Sequence, residues 1–278
     1  MNDVLWFNGR FTTTDECVLR VEDRGFLFGD AIYEVFKFVG RRPVFLEDHW
    51  ARLAAALRAI EIPCPWTRET FGSTMTALLD RTGFDDGIVY IEVSRGEGER
   101  SHFYADDMKP TAIAFSRRFN FPDAARKDRG VWLVTARDLR WKRCDVKTVN
   151  LLGNVLARKG AQRAGADEAL LVDDGIVREC SSSSFFIVEG DTLVTHPLDE
   201  HILPGVTRMR TIALADRVEE RPIRENELHA ADEIFITSTT LGVMPVRQID
   251  DGPLRRPGPV TLRLQQLLSE DELRSAAG

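Results

Sequence analysis

From residue 31 to 39 the chain alternates strictly. Ile32, Glu34, Phe36 and Phe38 fall on one side of an extended segment, with Tyr33, Val35 and Lys37 on the other. That period of two predicts a half-buried strand, and Gly40-Arg41-Arg42-Pro43 turns the chain back into Val44-Phe45. The period then changes. Trp50, Leu53, Ala54, Leu57 and Ile60 recur at helical spacing within 47–60, and 67–81 reads as a second helix. Strands are expected again at 88–94 and 111–116, while Asn8-Gly9 between Leu5-Trp6-Phe7 and Arg10-Phe11-Thr12 is a two-residue hairpin signal. Strands and helices are sorted into blocks, which is the α+β pattern.

Between Phe119 and Gly130 the chain turns polar and is broken by Pro122, Asp123 and a run of charges, the composition of a linker. This divides the 278 residues into an N-terminal α+β domain (1–119), a linker (120–130) and a larger C-terminal domain (131–278). The second part opens with a strand at 131–135. A helix is expected over 148–164, with Leu151, Leu152, Val155 and Leu156 buried. Asp174-Gly175 and Glu189-Gly190-Asp191 mark hairpin turns. A helix begins near Val206, a strand at 233–237 runs into Ser238-Thr239-Thr240, and 260–273 closes as a helix.

A net charge of −7 argues against nucleic acid as partner, which needs concentrated cationic surface. No run approaches the roughly 20 apolar residues of a membrane span, and Met1-Asn2-Asp3-Val4-Leu5-Trp6 does not read as a secretory signal. Cys17, Cys64, Cys144 and Cys180 are scattered, which suits reduced thiols and a cytoplasmic protein. His49, His196, His201 and His229 share no ligand spacing, so no metal site is expected.

Three pieces carry chemistry in chain order: Lys147, then Glu179, then the Gly205-Val206-Thr207 turn. A lysine can form a Schiff base with the aldehyde of pyridoxal phosphate. A carboxylate can keep the pyridine nitrogen protonated, and a turn opening a helix offers N–H groups to a phosphate. Taken singly, each has a plainer reading: a solvated lysine beside Asp145, a strand-end acid, an ordinary helix cap.

Together the pieces resemble a known family. The stretch from Glu179 through Ser181-Ser182-Ser183-Ser184 to Arg208 is similar to the signature of class IV (fold-type IV) aminotransferases, with Ser184 standing where that family usually has asparagine. Glu22-Asp23-Arg24-Gly25-Phe26-Leu27-Phe28-Gly29-Asp30, Tyr33-Glu34-Val35, Arg100-Ser101-His102 and Thr237-Ser238-Thr239-Thr240 narrow the resemblance to bacterial D-amino acid aminotransferases. The resemblance implies a two-domain homodimer with pyridoxal 5'-phosphate in a cleft between domains, acting on D-amino acids and 2-oxo acids. It assigns Lys147 as the Schiff-base lysine and proton shuttle, and Glu179 to the ring nitrogen. Val206, Thr207, Ser238, Thr239 and Arg52 go to the phosphate, and Ser181 and Ser182 line the cofactor. It gives Tyr33, Arg100 and His102 to the α-carboxylate, from a loop reaching the other subunit's site. An (R)-amine transaminase, a branched-chain aminotransferase and an aminodeoxychorismate lyase remain open on the same scaffold.

Overall fold

The computed structural model describes residues 4–277. The chain forms two compact units. One comprises the residues up to Asn120 together with Val146–Asn150 and those from Glu272 on; the other comprises Phe121–Asp145 and Leu151–Asp271. The contacts therefore break the chain near 120 and return a short segment around Lys147 to the first unit, a grouping different from the continuous 131–278 domain expected from composition.

The first unit contains β1 (Val4–Phe7), β2 (Arg10–Thr13), α1 (Arg24–Phe28), β3 (Ala31–Val39), β4 (Arg42–Pro43), α2 (Leu46–Ala59), α3 (Arg68–Arg81), β5 (Gly87–Ser94) and β6 (Thr111–Arg118). Its six-stranded sheet has the order β2-β1-β6-β5-β3-β4, and the strand pairs are antiparallel. The alternation of β3 is the reason for its place: Ile32, Phe36 and Phe38 are buried with Leu53 and Leu57 of α2 and Phe71 and Met75 of α3. Burying each such side chain is worth about 1.5–3 kcal/mol. Thr67 accepts from the Thr70 N–H and caps α3.

The second unit contains α4 (Ala124–Arg129), β7 (Val131–Arg137), α5 (Leu152–Arg163), β8 (Glu168–Asp173), β9 (Ile176–Cys180), β10 (Ser184–Glu189), β11 (Thr192–Thr195), α6 (Val206–Leu214), β12 (Val218–Glu220), β13 (Ile223–Arg224), β14 (Glu233–Ser238), β15 (Gly242–Ile249) and most of α7 (Pro259–Ala277). The nine-stranded sheet has the order β12-β11-β10-β14-β15-β7-β8-β9-β13. The β15–β7, β7–β8 and β11–β12 pairs are parallel within an otherwise antiparallel sheet. β10 and β14, buried over all but their last residues, pair along their length, so their sequences read as apolar runs without alternation.

Two expectations need correction. The expected linker holds the short helix α4, whose cap is Asp123 accepting from the Arg126 N–H at 2.7 Å. The helix expected from Thr148 begins at Leu152, because Thr148 is held in an isolated antiparallel bridge with Ile32 and the backbone on either side bonds to Ala31 and Tyr33. Its apolar face is not buried either: Leu152, Val155 and Leu156 are 70%, 58% and 60% exposed. The apolar spacing is real, but nothing among the described residues covers it.

Candidate active site

Lys147 is placed by backbone pairing. Val146 is buried in the core of the first unit, Tyr33 N–H donates to the Lys147 carbonyl at 2.9 Å, and Val149 N–H donates to the Ala31 carbonyl at 3.2 Å. The segment thus lies as an extra edge along the start of β3. With the backbone fixed there, Lys147 Nζ stands 4.2 Å from the centroid of the Tyr33 ring. Among the described residues no carboxylate pairs with that ammonium.

One residue beyond Tyr33, on the opposite face of β3, lies a buried charge cluster. Glu34 is inaccessible to solvent; it accepts from Arg52 Nε at 2.9 Å and Nη2 at 2.6 Å, and faces His49 Nδ1 at 3.0 Å. Burial pushes the Glu34 carboxyl up, but the Arg52 charge and the His49 contact outweigh it and hold it well below the usual carboxylate range. Burial depresses the His49 imidazole, an effect its bond to Glu34 only partly offsets, so a neutral ring donating from Nδ1 fits best. Arg52, assigned to phosphate on the sequence, is therefore fixed in the fold by a bidentate grip on Glu34. The signal for this was legible: a glutamate among Ile32, Phe36 and Phe38 needs partners when buried, and His49 and Arg52 are one helical turn apart on α2.

Arg100 and His102 sit on the exposed loop after β5. The segment is bent rather than extended, yet both side chains gather around one ring. The Arg100 guanidinium is 5.6 Å from the Phe28 centroid, and the His102 ring 5.9 Å from it.

In the second unit, Glu179 near the end of β9 is buried. Its Oε1 accepts from Arg140 Nη1 and from the Leu203 N–H, the latter at 3.1 Å. Arg140 is gripped in turn by Asp138, through Nε at 3.0 Å and Nη2 at 2.8 Å, and donates to the His201 carbonyl at 2.9 Å. Burial would raise the Asp138 carboxyl, but Arg140 lowers it below its ordinary value. Glu179 is thus a carboxylate held in place by a fixed guanidinium. Although Arg140 lies close to Lys147 in sequence, its guanidinium is set on Glu179.

Ser181 Oγ donates to Glu168 Oε1, and Ser182 Oγ donates to Oε2 at 2.7 Å; Arg158 donates to the same carboxylate. Buried Glu168 was not singled out on the sequence. Both serine hydroxyls are used in this way, so what they offer a ligand is chiefly main chain.

α6 opens at Val206 with no side-chain hydrogen bond from its cap, Gly205. Its first N–H groups are therefore available to an anion. A Cβ at Gly205 would stand 2.8 Å from Ser184 Oγ and 3.2 Å from Arg208 Cβ, so the cap must stay small. Thr207 is buried at this end, and Thr237, in register with Ser184, has a buried Oγ1 without a hydrogen-bond partner. Ser238 ends β14 and accepts from the Leu241 N–H at 3.2 Å, with Thr239 next in the turn. These N–H groups and hydroxyls, with the buried carboxylate of Glu179, suit a phosphorylated pyridine. Among the described residues no group of three or more His, Cys, Asp or Glu side chains could hold a metal ion, and no helix is long and apolar enough to cross a membrane.

The model of the class IV amino-transferase family matches residues 31–249, a span that takes in Lys147, Glu179 and the α6 turn. The chain belongs to the class IV aminotransferases. Class IV aminotransferases are pyridoxal-phosphate enzymes, and the site residues here fit that cofactor. The chain is 37% identical over 98% of both sequences to a D-alanine aminotransferase of Bacillus licheniformis. It is 34% identical to one of Staphylococcus epidermidis, over 94% of this chain and 95% of that one. Among solved structures it resembles the branched-chain aminotransferase of Thermoproteus uzoniensis (TM-score 0.90, 24% identity, 99% and 96% of the two chains). It also resembles the branched-chain enzyme of Thermobaculum terrenum in its PLP holo-form (TM-score 0.87, 23% identity, 99% and 97%). At that identity these class IV structures speak for the fold.

Proposed function

We propose that this class IV aminotransferase is a D-amino acid transaminase that moves the amino group of a D-amino acid, D-alanine first, to a 2-oxo acid such as 2-oxoglutarate or pyruvate. The near-full-length similarity to D-alanine aminotransferases carries the reading. Lys147 holds pyridoxal phosphate, Glu179 faces its ring nitrogen, and the α6 turn, Ser238, Thr239 and Arg52 hold its phosphate. Bound there, the cofactor supplies an electron sink for the charge left when the α-proton departs. Lys147 Nζ would hold the cofactor and, as the base of the site, would move the proton that leaves the substrate Cα. Glu179, aligned by Arg140, keeps the ring nitrogen protonated throughout.

Tyr33, Arg100 and His102 bind the α-carboxylate: the guanidinium offers a fork, and the phenol and imidazole add donors. With Lys147 as the base, the position these residues give the carboxylate would decide which enantiomer presents its hydrogen to that amine. We further take the enzyme to be a cytoplasmic homodimer in which the Arg100 loop serves the partner's site. The exposed apolar side chains Leu152, Val155 and Leu156 of α5 support that assembly, since an apolar group of this kind usually meets a partner.

The test is a screen of D- and L-alanine, D-glutamate and (R)-1-phenylethylamine with pyruvate or 2-oxoglutarate as acceptor. Conversion of D-alanine and D-glutamate, with L-alanine inert, is expected. A preference for L-substrates would move the enzyme to the branched-chain group, and pyruvate released from an aminochorismate without an acceptor would make it a lyase.

A further inference from the structure

The geometry points to Arg24 as the positioning residue for α-carboxylate recognition, acting through the loop that carries Arg100 and His102. This rests on the carboxylate role given to those two residues above. Arg24 opens α1 and its side chain is only 5% exposed. Nε donates to Asp30 Oδ2 at 2.9 Å, and Nη1 donates to the Ser101 carbonyl at 2.7 Å. Ser101 lies between Arg100 and His102, so the bond fixes the peptide that joins them.

Two buried guanidinium groups share one acid here. Arg95 donates to Asp30 through Nε at 2.8 Å and Nη2 at 3.0 Å, and to the carbonyls of Ile60 and Glu61 at 2.6 and 2.9 Å. Burial raises the Asp30 carboxyl, but the two arginines lower it on balance, so it is charged. One carboxylate against two cations leaves a positive excess, and buried donors must find other acceptors. For Arg95 these come from the end of α2. For Arg24 the further acceptor is Ser101, a loop carbonyl 77 residues away in sequence.

The loop has few ties of its own. Ser101 N–H donates to the Glu99 carbonyl and Phe103 N–H to Ser101 Oγ, both within the loop. Tyr104 Oη also donates to Glu61 Oε2 at 3.2 Å, and further anchors lead back to the same cluster. The Arg95 guanidinium lies 3.8 Å from the Tyr104 centroid, and Arg24 lies 4.7 Å from that of Phe28, the ring around which Arg100 and His102 gather. A planar fork that meets Asp30 on one nitrogen and Ser101 on another sets a distance and an angle that a lysine cannot reproduce.

A double-mutant cycle on the full-length enzyme, with D-alanine as donor, tests this. Arg24→Gln should raise KM about 10-fold with kcat within about 2-fold, the scale of one lost hydrogen bond to a charged group. In an Arg100→Ala background the same change should cost less than about 2-fold, because residues acting in series do not add. Full additivity, or a wild-type KM for Arg24→Gln, overturns the role of Arg24 and leaves the carboxylate assignment standing. If Arg100→Ala itself leaves D-alanine kinetics unchanged, the carboxylate reading falls, and this one with it. Should Arg24→Gln not fold, Phe28→Leu takes its place in the cycle with the same two expectations, and additivity there overturns the proposal equally.

Discussion

Lys147 Nζ lies 4.2 Å from the Tyr33 ring, and the backbone bond between the same two residues, 2.9 Å from Tyr33 N–H to the Lys147 carbonyl, is what puts it there. Main-chain bonds to β3 are a stiff mount for the amine proposed to transfer the proton. Lys147→Ala should keep that mount, since the bond uses main chain only, and should melt within a few degrees of the wild type. Its turnover should fall by several orders of magnitude, as for loss of a covalent catalytic group. Borohydride reduction of the wild type with cofactor bound, followed by peptide mapping, should label Lys147; a label on Lys142 or Lys159 would refute the assignment.

Arg140 and Glu179 form the second unit's counterpart to this arrangement. If Glu179 serves the cofactor's ring nitrogen, Glu179→Gln should slow proton removal in single turnover by about 10²–10³-fold. Arg140→Met leaves the carboxylate in place but takes away its alignment. It should slow the same step less, while Asp138, stranded in a buried site, costs stability of about 3–5 kcal/mol. Unchanged single-turnover rates in Arg140→Met would show that Glu179 does not depend on it.

The fold was legible wherever a short window holds the whole cause. The alternation of β3, the Thr67 cap of α3, the Asn8-Gly9 turn and the start of α6 are such cases. Lys147's setting was not, because pairing of residues 147–149 with β3 joins segments more than a hundred positions apart. The spacing of Leu152, Val155 and Leu156 announced an apolar face correctly, but periodicity is silent on what covers a face. The role of Arg140 was illegible for a related reason: nearness in sequence to Lys147 says nothing of nearness in space, and its partner Glu179 lies 39 residues on.

Acid should destabilise the enzyme in two stages. His49 is held below its ordinary value in the folded state, so below about pH 6.5 the unfolded chain binds a proton that the folded chain refuses, and stability falls with pH. His196, likewise depressed by burial, adds to this stage. Asp30, Asp138 and Glu34 are lowered carboxyls, and their contribution is lost only below about pH 4. His49→Asn keeps a donor for Glu34 and cannot titrate. Urea midpoints at pH 7.5, 6.5 and 5.5 should decline less steeply in this variant, with His196 accounting for what remains; an unaltered slope would mean that His49 takes up its proton at the same pH in the folded and unfolded chain.

Glu34→Gln tests the same cluster at neutral pH. The substitution leaves the Arg52 guanidinium in a buried site with a neutral partner, at a cost of about 3–5 kcal/mol. If Arg52 also serves the phosphate, loss of its mount should weaken pyridoxal phosphate binding, read by fluorescence titration, and added cofactor should recover part of the melting temperature. A variant that loses stability but binds the cofactor as tightly as the wild type would confine Arg52 to a structural role.

The dimer geometry has a test of its own. Chains carrying Arg100→Ala are mixed with chains carrying Lys147→Ala, then dissociated and reassembled. If the Arg100 loop serves the partner's site, each hybrid dimer has one site with both defects and one with neither. Random reassortment makes about half the dimers hybrid, so roughly a quarter of the wild-type rate should return in a two-fold symmetric assembly. If Arg100 and Lys147 belong to one chain's site, every hybrid site carries one defect, and the rate stays at the average of the two parents. Light scattering on the same samples must report dimers; a monomer of full activity would remove the shared site altogether, and leave the exposed Leu152, Val155 and Leu156 face of α5 without the partner assigned to it.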